Sequence, residues 1–410
     1  MNKPILMRYL FSSLIVCVSL TSFSQSISES CRISSAFQLQ RIPLAVSSLH
    51  IAPDARSAGL GDAGLGLSPD ANSLYWNAAA VGFSEKRTEV SVSYSPWFRQ
   101  LVNGIHHLYY SSYIRLGKRH ALGSSIRHFQ AGAMEPFTQE GVKESEFQLS
   151  YVFRVSKRSA IGISGKFIYS NVDAGFFTPC GMEIHPGTAG AVDLSYRFRG
   201  NERSIGKAKA RWNWGFTLSN MGNKIEYVEV QREFLPANLR LGSSFDLDFN
   251  PKHGLTFVLN TNKLLVPTPP VEDGTGSVVS GMDDNVGTFV GMIHSFYDAP
   301  GQITTSPTGA TTVSGRGQEE FREWMWNGGL EYNFDDILFI RSGLSLEHES
   351  KGIRNFLTLG AGTQWKFLSL DFSYLQAFRR TNPLNTTIRF TVSAKLPGND
   401  ESSMKPPAFE

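Results

Sequence analysis

Thr387-Ile388-Arg389-Phe390-Thr391-Val392-Ser393-Ala394-Lys395-Leu396 alternates polar and apolar residues without a break. Successive side chains on an extended strand point to opposite faces, so this segment has one apolar face and one polar face. The same rhythm runs upstream. Val90, Val92 and Tyr94 alternate with Ser91, Ser93 and Ser95; Phe147, Leu149, Tyr151, Phe153 and Val155 form another set. Leu239, Leu241, Phe245, Leu247 and Phe249 oppose Arg240, Ser244, Asp246 and Asp248. Counting such segments predicts about fourteen strands, near 87–96, 105–117, 119–130, 144–155, 159–170, 188–199, 211–220, 237–249, 253–264, 321–333, 337–347, 353–365, 367–377 and 386–396.

Alternation alone suits a soluble sandwich as well as a barrel in a membrane, and the connections separate them. Links at 117–119, 156–158, 250–252 and 333–336 are very short, whereas 131–143, 171–187, 221–236 and 265–320 are long. Short turns at one end and long loops at the other are the pattern of an outer-membrane β-barrel. The link at 200–210 is longer than that rule expects. Aromatic residues on the apolar faces, among them Tyr110, Tyr169, Phe198, Trp214, Trp326, Trp365, Phe372 and Tyr374, fit a lipid-facing exterior. Arg115, Arg127, Lys166, Arg240, Asp246, Asp371 and Arg389 then point into the lumen. The expected fold class is all-β: a transmembrane antiparallel barrel of about fourteen strands.

Composition agrees. Of 410 residues only 18% are charged while 12% are aromatic. An ordinary soluble domain carries about 25% charged residues, and a disordered chain would lack the aromatics. A net charge of +3 gives no basic surface for nucleic acid. Beyond the N-terminus no apolar run is long enough for a membrane helix. That N-terminus, with Lys3 and Arg8 before an apolar core from Leu10 to Leu20 and then Ser22-Phe23-Ser24, reads as a secretory signal over residues 1–24. Cys31 and Cys180 remain after cleavage, and an oxidising compartment permits either a bridge or two free thiols.

Residues 25–86 lack the alternation. Gly59-x-Gly61-x-x-Gly64 matches a dinucleotide fingerprint in form only, because no buried strand precedes it and no βαβ unit surrounds it. The expectation is a Gly-rich segment that fills the barrel lumen, with barrel over 87–397 and a tail over 398–410. Asp54, Arg56, Gly61, Asp62, Asp70, Trp76 and Asn77 are its candidate functional residues. Catalytic constellations are thin. Asp283-Asp284 and Asp335-Asp336 are adjacent pairs, His106-His107 alternates faces, and neither a Gly-x-Ser-x-Gly elbow nor a His-Glu-x-x-His helix occurs. No cofactor, metal or enzymatic activity is expected. Loops 97–104 and 171–187 expose Trp97, Phe98, Arg99, Phe176 and Phe177, residue types favoured at protein interfaces. Within 265–320, Val286 to Tyr297 reads as a short element over the barrel mouth and 301–316 as a disordered surface loop.

The run from Ile51 to Phe83, IAPDARSAGLGDAGLGLSPDANSLYWNAAAVGF, and the run from Tyr94 to Asn103, YSPWFRQLVN, resemble PorV-type outer-membrane proteins of the type IX secretion system. These are relatives of the FadL transporters. Asn77-Ala78-Ala79 departs from the family's usual Asn-Pro-Ala. The resemblance implies a FadL-like barrel whose N-terminal segment plugs the lumen, placed in the outer membrane. It also implies a non-enzymatic role: binding the C-terminal signal domain of secreted cargo at the translocon barrel and carrying it to the surface attachment complex. The competing expectation is a FadL-like channel for hydrophobic small molecules.

Overall fold

The structure is a computed structural model. It describes residues 42–96, 104–132, 141–172, 183–228, 231–272, 277–305, 311–352, 354–379, 382 and 384–396. Fourteen strands form the wall: β1 Thr88–Pro96, β2 His106–Arg115, β3 His120–Ala131, β4 Val142–Arg154, β5 Ser159–Val172, β6 Gly187–Arg199, β7 Ala208–Gly222, β8 Asn238–Asn250, β9 His253–Leu264, β10 Trp324–Phe334, β11 Leu338–Leu346, β12 Phe356–Trp365, β13 Leu368–Ala377 and β14 Thr387–Leu396. Each pairs antiparallel with its neighbour in sequence. β14 returns to β1, Val90 opposite Ala394 and Val92 opposite Val392, so the sheet closes into a barrel. Closure removes the free edges that lipid could not satisfy.

The two faces of the wall invert the rule for a soluble protein. On β1, Glu89, Ser91, Ser93 and Ser95 are buried, while Val92 and Tyr94 are exposed. On β5, Ile161, Ile163 and Phe167 are exposed while Ser164 and Lys166 are buried. Large apolar side chains therefore cover the outside in a continuous band, and polar ones are packed inside. Placing such a Leu or Phe against lipid rather than water gains roughly 1.5–3 kcal/mol each. This is the arrangement of a barrel that spans a lipid bilayer.

The short turns explain themselves. Asp335 and Asp336 both take positive φ, 56° and 53°, a left-handed pair that reverses the chain so that the Ile337 N–H donates to the Phe334 carbonyl and Phe334 pairs with Leu338. The longer link between β6 and β7 carries a small outward extension in which Arg203–Ile205 pairs with Ala208–Ala210 around Gly206.

Two expectations need correction. Residues 302–305 and 311–314 form a hairpin, Ile303 opposite Val313 and Thr304 opposite Thr312, rather than disordered chain. β-branched Ile303, Thr304, Thr305, Thr311, Thr312 and Val313 favour the extended backbone, and the Gly/Ser/Thr-rich composition concealed this. Phe321 and Arg322 belong to a helix, Arg316–Arg322, and not to β10. Gln318, Glu319 and Glu320 are good helix formers and carry no period-two pattern. The Val286–Tyr297 stretch contains the short helix Thr288–His294.

Candidate functional site

Inside the barrel, residues 42–84 run through two 3-10 turns, Ser47–His50 and Ala78–Phe83, and two single-turn helices, α1 Ala55–Ala58 and α2 Ser73–Trp76. So little regular structure leaves most backbone groups without internal partners, and buried backbone groups need them. The inward side chains of the wall supply them. On β6, the Arg197 guanidinium donates to the carbonyls of Leu65, Gly66 and Leu67 at 2.7, 2.6 and 3.0 Å. Arg240 on β8 donates to the carbonyl and hydroxyl of Tyr75. Arg127 on β3 reaches the Ser48 carbonyl, Gln148 on β4 that of Leu74, and Thr217 on β7 that of Trp76. Asn327 on β10 and Thr358 on β12 hold Gly61 from both sides, by its carbonyl and its N–H. Thr391 on β14 accepts from the Ala55 N–H. On β2, Ser111 donates to the Asn72 side chain and Tyr113 bonds the Ser84 hydroxyl, so these residues are tied to at least nine of the fourteen strands.

Its own side chains add a charged chain to the wall. Arg56 reaches both oxygens of Glu331, at 3.2 and 3.0 Å, and Asp70 at 3.1 Å. Glu331 in turn holds Arg341 at 2.6 Å, and Arg341 holds Asp371 at 2.6 Å. Burial opposes the charge of Arg56, yet Glu331 and Asp70 keep its pKa well above the ordinary value. Asp54 caps α1, accepting from the Ser57 N–H at 2.8 Å and from Trp76 Nε1 at 2.8 Å. Complete burial, reinforced by the charge of Asp70, pushes the Asp54 carboxyl up to about 6. Burial also raises Asp62, which faces Arg389 at 3.6 Å. Asn77 donates to the Tyr196 carbonyl at 2.9 Å. Tyr75 and Trp76 meet edge to face at 4.8 Å, with Arg127 and Arg240 each over the Tyr75 ring.

The glycines of the apparent fingerprint have a packing role. A Cβ on Gly343 of β11 would fall 2.0 Å from the Gly61 nitrogen, and one on Gly329 of β10 would fall 2.7 Å from Leu60 Cβ. Gly61 itself has φ +72°, and a Cβ on Gly64 would strike the Trp76 ring at 2.5 Å. Backbone lies on backbone here, and only glycine permits it.

Below the plug, on the short-turn side, lies a vestibule of about 480 Å³ that includes Arg56, Asp70, Arg197, Asp246, Glu331 and Asp371 among its lining. Its lining is mostly polar and charged, from the wall and from the plug alike. Above the plug, the described residues among 265–323 form a crown on the long-loop side. Lys263 bridges Glu320 and Glu323 at 3.2 and 2.6 Å, and Lys351 bridges Glu319 and Glu323 at 2.6 and 3.0 Å. Carboxylate oxygens of Asp298, Glu320 and Glu323 gather within 4.8 Å of one another, as metal ligands would. The Lys263 ammonium already serves two of these carboxylates. Burial pushes Asp298, which accepts from the Thr268 N–H, up to about 7. The crown exposes apolar side chains: Phe289 is 74% exposed and Ile293 62%, Phe296 and Tyr297 are exposed too, and Phe321 is exposed beside the Trp326 ring.

Asp54, Arg56, Gly61, Asp62, Asp70, Trp76 and Asn77 all lie in the lumen. Trp97, Phe98, Arg99, Phe176 and Phe177 fall outside the described residues, as do Cys31 and Cys180. Sequence reading missed the wall partners Arg197, Asn327, Glu331 and Arg341. Each sits at an inward position of its strand's alternation, so parity within the strand was the signal that could have found them.

A closed barrel with an apolar exterior and a polar, filled lumen defines a class, the plugged outer-membrane β-barrels. Within it, the family model for the type IX secretion system protein PorV matches residues 34–271, and the chain belongs to that family. Among solved structures the chain is similar to the Ralstonia pickettii toluene transporter TbuX, at 11% identity and TM-score 0.42 over 83% of this chain and 96% of that one. It is also similar to the P. putida toluene transporter TodX, at 10% identity and TM-score 0.47 over 84% and 99%. A Pseudomonas aeruginosa FadL homologue aligns at 10% identity and TM-score 0.39 over 84% and 98%. No curated protein matches the chain.

Proposed function

We propose that this barrel works in type IX secretion as a sealed, non-enzymatic docking protein. It binds the C-terminal signal domain of cargo emerging from the translocon barrel and shuttles that cargo to the surface attachment complex. The filled lumen is the observation that carries this reading. A plug bonded to at least nine strands leaves the loops and outer surface as the working parts. The exposed Phe289, Ile293, Tyr297 and Phe321 on the crown supply apolar contact area of the kind protein partners bury. Loops 97–104 and 171–187, with Trp97, Phe98, Arg99, Phe176 and Phe177, are proposed to extend that surface.

The competing reading, a conduit for hydrophobic small molecules, requires a continuous apolar passage. The vestibule is lined by arginines and carboxylates, which favours the docking protein. Affinity capture of the barrel followed by mass spectrometry tests the choice: cargo signal domains should copurify, and deletion of the gene should trap cargo in the periplasm. Normal cargo export in the deletion strain would refute the proposal.

A further inference from the structure

The short-turn rim is not uniform in charge. Around the arc from β2 to β7, the turns carry Lys118, Arg119, Lys157, Arg158, Arg203, Lys207 and Lys209, all exposed. Among the described residues of these three turns Glu202 is the single carboxylate, and Lys209 and Arg211 hold it at 2.9 and 3.1 Å. On the opposite arc, Lys252 and Lys366 are balanced by Asp335 and Asp336.

Immediately above the basic turns, the outward face of the same strands is aromatic. Phe198 stacks on Trp214 at 5.6 Å, and Tyr196 stacks on Phe216 at 5.7 Å. His120 bonds the Tyr151 hydroxyl at 2.7 Å and lies 5.2 Å from Phe153. The Arg158 guanidinium sits over Phe198, 5.7 Å from its centroid, so that cation lies on the lipid side of the wall. Amphipathic rings settle at the boundary between hydrocarbon and headgroups, and cations one step beyond them meet lipid phosphates. The hairpin of Arg203–Ile205 with Ala208–Ala210 extends the same place outward, with Ile205 exposed between Arg203 and Lys207.

We propose that the β2–β7 arc of the short-turn rim is a binding site for anionic phospholipid headgroups. Arg158, Arg203 and Lys207 hold the phosphate, and Phe198 and Trp214 carry the upper acyl chain. An acidic protein partner would match the charge equally well, but the aromatic shelf that Arg158 packs against faces the membrane, and that favours lipid. The site is independent of what the barrel transports.

The test uses the full-length protein in nanodiscs of phosphatidylcholine with a minority of phosphatidylglycerol, and mass spectrometry of the lipid retained on mild detergent extraction. Phosphatidylglycerol should be enriched over its bulk fraction. Arg158→Gln, Arg203→Gln and Lys207→Gln should each lower the enrichment by roughly fivefold, as expected for one cation near an anionic surface. Lys252→Gln with Lys366→Gln on the opposite arc should leave it unchanged, and excess inorganic phosphate at constant ionic strength should leave it unchanged too. Heat-modifiable gel migration shows that each variant still forms the barrel. No enrichment, equal loss from both arcs, release by inorganic phosphate, or retention of an acidic protein in place of the lipid would each overturn the proposal.

Discussion

The plug and the crown both cover an opening of the same barrel, yet they treat their side chains in opposite ways. Residues 42–84 bury nearly everything they have: Leu60, Leu65, Leu74 and Val81 against the wall, and their carbonyls on Arg127, Arg197 and Arg240. The crown spends its polar groups on an internal lattice, with Lys263 and Lys351 between Glu319, Glu320 and Glu323, and leaves Phe289, Ile293 and Phe321 in the open. One region is built to stay, and the other keeps apolar side chains such as Phe289 and Ile293 exposed. The difference separates sealing from recognition.

The comparison is easiest to break at the glycine contact. Gly343→Leu places a side chain where the Gly61 backbone lies, and should cost more than about 3 kcal/mol, either unseating the plug or preventing folding. Limited proteolysis of residues 42–84, read beside heat-modifiable migration, distinguishes these outcomes; a protected plug would show the contact to be slack. Glu331→Gln comes next. It leaves two buried guanidinium groups short of their shared carboxylate, and about 3–5 kcal/mol should be lost in chemical denaturation. Asp54→Ala removes the α1 cap and the Trp76 bond together and should cost about 2–4 kcal/mol. Asp54→Asn, whose single amide oxygen keeps one of the two bonds while its NH2 faces the other donor, should recover only part of that loss.

The crown responds to pH. The Asp298 carboxyl is raised to about 7 from an ordinary 3.8, so the folded crown binds that proton more tightly than the unfolded chain does. This group's stabilising contribution is complete below about 3.8, declines as pH rises through that window, and is gone above about 7. Protection factors of residues 265–300, with the intrinsic rise of exchange with pH divided out, should therefore fall as pH rises from 3.8 to about 7, and Asp298→Asn should flatten that fall. Equal exchange in both proteins would contradict the assignment. The smallest effect on stability belongs to Phe289→Ser with Ile293→Ser, within about 0.5 kcal/mol each for exposed positions. The same pair should weaken capture of cargo signal domains, and undiminished capture would remove the crown from the docking surface.

Much of this architecture was legible because a strand with lipid on one side and a polar lumen on the other writes period two into its sequence. Ile388, Phe390 and Val392 face out while Arg389, Thr391 and Ser393 face in, and loop lengths then distinguish a barrel from a sandwich. The plug was legible as a departure from that rhythm. Its attachment was not, because Gly61 against Gly343 and Arg56 against Glu331 are contacts between residues more than two hundred positions apart. A single sequence records that glycines and charges are present, but not which ones meet. The 302–314 hairpin and the 316–322 helix escaped for another reason: both are too short for periodicity to rise above composition.

The central claim, that the lumen is sealed by a fixed plug and the barrel therefore acts through its surfaces, is most directly tested by conductance of the purified full-length protein in a planar lipid bilayer. The account predicts no stepwise openings above the bare-membrane baseline, with openings in Gly343→Leu if that variant forms a barrel with the plug displaced. A stable open channel in the unaltered protein would contradict it.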